Sequence, residues 1–240
     1  MREIEQRVLR KLQQDFPKDI DLMERGLDSV AKCVQIMINM SPMLRKPNVQ
    51  NNLLNANDEV RRGTVQVICI EHSFTFLKAA RLLLLTGYIS PSLSCLRTAF
   101  ESFQNAYICS VRDDQAIRFM KGNEINRKVD VIYPQQLDTN LGRQIKNTLA
   151  MYGVHPNFNA IEMQALFEGS VFTKENYTTY KFMFIRNVWS YNMMVVLLLD
   201  YLLERNQKLI EEVPEAPEIA RELIQYIEDS EKQLEKLSNK

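Results

Sequence analysis

A chain of 240 residues, 45% hydrophobic and 25% charged, is long enough for a complete core, and its 30 basic and 30 acidic side chains cancel. Seven glycines and eight prolines are too few for the many tight turns of an all-β protein. The balanced charge gives no long-range attraction to nucleic acid or to an anionic membrane.

The N-terminal Met1-Arg2-Glu3-Ile4-Glu5 is charged and holds no apolar leader core. Ile4, Val8, Leu12 and Phe16 recur every four residues and mark a short amphipathic helix that Pro17 ends. A second helix is expected from about Asp19 to Asn39, closed by Ser41-Pro42. Residues 42–58, with Pro42, Pro47 and several asparagines, read as a flexible loop with partial helix.

From about Asp58 to Thr86 comes a long helix, apolar nearly all round from Val65 and capped by Gly87 in a left-handed conformation. Ser90 then caps the next helix, with Pro91 at its first position and Leu93, Leu96, Phe100, Phe103 and Tyr107 as its apolar seam. Asp113-Asp114 starts a more polar helix to about Val131. Pro134 breaks the chain, and short helices follow near 141–152 and 160–167, with the turn Val154–Asn159 between them. Thr173 caps a long helix to about Gln207 that carries two apolar stripes and so makes contacts on two sides. After Pro214 and Pro217, residues 211–240 form an amphipathic helix with nine acidic and four basic side chains. The longest apolar runs, Leu82–Leu85 and Met193–Leu199, fall well short of the ~20 residues that cross a bilayer. The expectation is an all-α multi-helix bundle with two largely buried central helices. Its regions are 1–57, a core of 58–210 and a C-terminal helix over 211–240, all in one cytoplasmic domain.

Ser94, Arg97, Glu101 and Gln104 share one helix face, and Arg97 and Glu101 stand at i, i+4. That face is a solvated surface, a buried ionic network meeting Glu71, Thr75, Lys78 and Arg81 of the preceding helix, or a pocket. His72 reads as a hydrogen-bonded core histidine. His155 lies in a turn with Pro156, where a side chain can be aimed at a cleft. Residues 152–191 hold ten of the 21 aromatics, enough either for an aromatic core or for a ligand pocket lined by Tyr152, Tyr180, Arg186 and Trp189. The four cysteines (Cys33, Cys69, Cys95, Cys109) form no C-x-x-C pair and read as buried free thiols. No metal-ligand cluster, phosphate loop or nucleophile elbow occurs, so no metal and no cofactor is expected.

The order Arg81 to Gly87, Ser90 to Arg97 and Glu101, Asp113 to Phe119, then Tyr152-Gly-Val-His155-Pro resembles a group of prokaryotic all-helical proteins. Some of that group are compared with the HEPN domains of toxin–antitoxin and abortive-infection systems. The resemblance spans roughly residues 65–200 and implies a helical, dimeric fold. HEPN ribonucleases carry Arg, four to six residues, then His on one helix. Here the nearest spacing, Arg62 to His72, has nine residues between.

Three functions are therefore weighed. The first is a non-catalytic interaction or regulatory protein, homodimeric or bound to another protein. The second is a HEPN-like ribonuclease using Arg97, Glu101 and His155 on RNA. The third is a small-molecule sensor with an aromatic pocket. No contact with a membrane is expected.

Overall fold

The computed structural model describes residues 3–125 and 177–238. In chain order these form α1 (Glu3–Asp15), α2 (Pro17–Met40), a 3-10 turn (Pro42–Arg45), α3 (Val49–Leu54), α4 (Asp58–Leu85), α5 (Ile89–Val111) and α6 (Asp113–Met120). Beyond the undescribed stretch come α7 (Tyr177–Arg205), α8 (Gln207–Glu212) and α9 (Ala216–Ser238). No strand occurs among the described residues, and the fold is an all-α multi-helix bundle. The helices expected near 141–152 and 160–167, the turn at 154–159 and the Thr173 cap lie outside the described residues.

Helix ends follow local chemistry. Pro17 opens α2 at its first position, where a missing N–H costs nothing, so the break after α1 is a sharp turn at Phe16. Asn57 caps α4 by accepting from the Val60 N–H at 2.9 Å. At the other end Gly87, with φ +88°, lets Tyr88 N–H reach Leu83 O at 2.8 Å and its own N–H reach Leu84 O. Helix α5 begins at Ile89, one residue before the expected cap, and Pro91 falls harmlessly in its first turn.

Residues 42–58 are more regular than a flexible loop. Asn48 adopts a left-handed conformation with φ 53°, Asn52 Nδ2 donates to Pro47 O at 2.7 Å, and α3 completes a turn and a half.

Helices α4 and α5 form an antiparallel pair, the most extensive helix contact in the bundle. Two buried hydroxyls staple them: Ser73 Oγ donates to Ala99 O and Ser92 Oγ to Ala80 O, both at 2.8 Å. Helix α7 is the dry centre. It packs on α2, α4, α5 and α9, and between Met183 and Leu199 every residue except Arg186 is buried. Each Leu, Val or Phe removed from water there contributes roughly 1.5–3 kcal/mol. By length and composition Lys181–Arg205 could cross a membrane, but 89% of its apolar window is buried inside the bundle, as in a core helix.

Helix α4 corrects the expectation of a helix without a wet face. Glu71, His72, Thr75, Lys78 and Leu82 are exposed, Leu82 to 59%. Positions 71, 75, 78 and 82 stand four, three and four apart, so they form one stripe along the helix. Leu84 and Leu85 point inward from the same apolar run.

The acidic final helix finds its basic counterpart on α2. Lys32 pairs with Glu215 at 2.5 Å and Arg25 with Glu222 at 2.6 Å, while Tyr226 Oη donates to Asp19 Oδ1 at 2.8 Å.

Candidate functional site

Arg97 and Glu101 face each other along α5, Nε to Oε1 at 3.0 Å, with side chains 36% and 33% exposed. The polar line expected to meet them from α4 does not form a buried network with them. Lys78 lies 4.6 Å over the Phe74 ring of its own helix, and Arg81 turns away to Glu24 of α2, Nε to Oε1 at 2.7 Å. His72 bridges the two helices, its Nδ1 2.8 Å from Ser102 Oγ, but it is an exposed residue rather than a core one. His155 and Tyr152 lie outside the described residues, and of Tyr180 only the helical backbone is described. Arg186 is half-buried and Trp189 buried on α7.

The cysteine expectation holds closely. All four are free thiols; Cys33, Cys69 and Cys109 are buried and Cys95 is half-buried. Burial pushes the Cys33 thiol up to about 11, so it stays protonated and unreactive at neutral pH. Among the described residues no group of three metal-ligating side chains converges.

Helix α7 carries buried polar atoms that find no hydrogen-bond partner among the described residues: Asn187 Oδ1, Trp189 Nε1, Tyr191 Oη and both side-chain ends of Asn192. Their positions are spread around the helix, so they do not converge on one point. Burial holds the Tyr191 phenol well above its ordinary value, with the Arg81 guanidinium opposing that effect.

One concave feature built from described residues, the most apolar in its lining, is a groove of about 590 Å³ between the C-terminal end of α2, the first turns of α4 and the last turn of α7. Ser41-Pro42 ends α2 and folds the chain into the 3-10 turn, which adds Met43 to the Met37 and Met40 of α2. On α4, Val60, Gly63, Thr64 and Val67 share one face at i, i+3, i+4 and i+7. A Cβ at Gly63 would meet nothing within 4 Å, so the wall is open there. Methionine thioethers, unbranched and polarizable, adapt to the shape of what they touch.

Polar groups converge at the α7 end of this groove. Gln66 Nε2 donates to Tyr201 Oη at 3.0 Å, and Tyr201 Oη donates to Ser110 Oγ at 3.3 Å. Arg205 Nη1 donates to the same Ser110 Oγ at 3.1 Å. Its guanidinium carbon lies 4.8 Å from the Tyr201 ring centre and 5.4 Å from that of Tyr107. Burial, the largest influence, raises the Tyr201 phenol, which therefore stays a neutral hydrogen-bond donor. Glu59 of α4 also lines the groove.

Beneath the groove Arg61 fastens three elements. Its guanidinium, with only 8% of the side chain exposed, takes Asp113 of α6 in a two-point contact at 2.7 and 2.9 Å and Asp58 at 2.6 Å. It also donates to the carbonyls of Leu53, Leu54 and Ala56, which end α3. Sequence reasoning missed both Arg61 and the groove. One arginine in a helix looks like any other, and the groove takes shape where segments distant in sequence meet. The one local signal was the cluster of Met37, Met40 and Met43 beside Pro42.

Fold and site together define an all-helical bundle with an apolar, methionine-lined groove at one end. No family model matches the chain, and neither a curated protein nor a solved structure matches it.

Proposed function

We propose that the protein acts by binding rather than by catalysis, as a helical interaction or regulatory protein whose contact surface is the groove between α2, α4 and α7. The observation that carries this reading is the groove itself. Its volume is that of a recognition site, its wall is adaptable methionine and valine, and a fixed cation marks one end. Met40 and Val60 on its rim are 47% and 39% exposed, apolar surface left in water by the isolated chain. The Arg97–Glu101 pair fits the same reading, because each charge is already answered by its neighbour on the helix.

Methionine-methyl NMR tests it directly. Raising the protein concentration, or adding an amphipathic helical peptide of leucine, glutamate and lysine, is expected to move the Met37, Met40 and Met43 methyl signals while that of buried Met194 stays fixed. Groove signals indifferent to both additions would overturn the reading. So would cleavage of a single-stranded RNA oligonucleotide that disappears in Arg97→Ala.

A further inference from the structure

The occupant of the groove can be narrowed, on the reading that it is a contact surface. We propose that a second copy of this chain docks there, joining two molecules through the end of the bundle around a two-fold axis.

Apolar surface is the first ground. Among the described residues six large apolar side chains are exposed, and Met40, Leu54, Val60 and Val111 belong to this one end. Met40 and Val60 line the groove. Leu54 and Val111 are tied to the same turns of α4, because Arg61 holds Leu54 O at 3.2 Å and Arg62 holds Val111 O at 3.4 Å. Along α4 the groove runs from Glu59 to Val67, about 12 Å at the helical rise. That length accepts two turns of a facing helix and the spaced apolar anchors such a helix presents.

Charge decides which partner. Glu59 and Arg205 both line the groove, and among the described residues neither has an ion-pair partner. Arg205 is held in place by two tyrosine rings and Ser110, with Nη1 its one N–H-bearing nitrogen engaged there. An apolar small molecule would fill the groove and leave both charges unanswered. A partner carrying charge of one sign would answer one and repel the other. A two-fold axis requires one patch to complement itself. A patch with one unpaired anion and one unpaired cation does so, placing Glu59 of each copy against Arg205 of the other.

Sedimentation velocity of the full chain tests this, with thermal melts by circular dichroism confirming that each variant is folded. The wild type is expected to sediment as a dimer at micromolar concentration. Glu59→Arg and Arg205→Glu, each placing like charges face to face, are expected to weaken dimerisation by about tenfold or more. The double variant Glu59→Arg/Arg205→Glu restores complementarity only if the partner is a second copy, and is expected to return to near wild-type association. Gly63→Leu, which extends a side chain into open space without straining the helix, is expected to weaken the dimer while the monomer melts no lower. A strict monomer across the concentration range overturns the proposal, as does a double variant that associates no better than the single ones. Should the chain stay monomeric while an amphipathic peptide still moves the groove methionine signals, the second copy is excluded and the groove reading stands. If neither self-association nor peptide moves them, both fall.

Discussion

Gly26 and Gly63 both sit inside long helices, and adding one methyl group to each has opposite consequences. At Gly26, on α2, a Cβ would stand 3.0 Å from Val195 Cγ1 and 3.1 Å from Leu223 Cδ1, where three helices meet. Val195 and Leu223 are fully buried, and Val195, β-branched on a helix, has one strongly preferred rotamer and little room to retreat. At Gly63 a Cβ meets nothing. An alanine gains about 1 kcal/mol of helix propensity in either place, and at Gly26 overpacking of about 1–3 kcal/mol outweighs it. Urea denaturation is expected to show Gly26→Ala less stable than wild type and Gly63→Ala more stable by about 1 kcal/mol. Equal shifts in both would mean the three-helix junction is looser than its distances indicate. At this scale the sequence was partly readable. Arg97 and Glu101 meet at i, i+4 as their spacing implies, because the contact is local. Arg61 stayed hidden, because its partners Asp113 and Leu53 come from other elements and nothing in its own helix announces them.

Among the elements, α7 and α9 were legible and α4 was half so. Two apolar stripes on α7 became contacts with α2, α4, α5 and α9, since a helix without a polar face has to be surrounded. Helix α4 looks similarly apolar from Val65 onward, yet Glu71, Thr75 and Lys78 fall on one line and carry Leu82 into water with them. Composition counts residues, while exposure depends on which face they share. The attachment of α9 to α2 is electrostatic at its rim, and that makes it sensitive to acid. The Lys32 ammonium beside Glu215 and the Arg25 guanidinium beside Glu222 hold both carboxyls below the usual range. A carboxyl whose folded pKa is depressed contributes stability above its unfolded value, about 4.3, and loses that contribution as pH falls through the folded value. Thermal melts between about pH 5 and pH 3 are expected to fall more steeply for wild type than for Glu215→Gln/Glu222→Gln. The difference is expected to shrink at high salt, because both pairs are exposed. Parallel curves would show that these pairs add nothing to the docking of α9.

For the whole molecule, the bundle arranges its charges and its apolar surface in different places. On the flank facing α2, Glu215 and Glu222 of the acidic C-terminal segment are answered by Lys32 and Arg25 of the same chain. The opposite requirement holds at the groove, where Met40 and Val60 stay in water and, among the described residues, Glu59 and Arg205 have no ion-pair partner. The all-α class was evident from scarce glycine, scarce proline and helical periodicity, which are local properties. The groove was not, because it lies where the end of α2, the start of α4 and the end of α7 meet, and a single sequence does not record that meeting. Hydrogen–deuterium exchange at low and high protein concentration tests the groove as the contact surface most directly. Amides of residues 37–43, 59–67 and 201–206 are expected to exchange more slowly as concentration rises, while those of 188–199 remain protected throughout. Slowing confined to α9 or to the exposed stripe of α4, with the groove unchanged, would contradict the account.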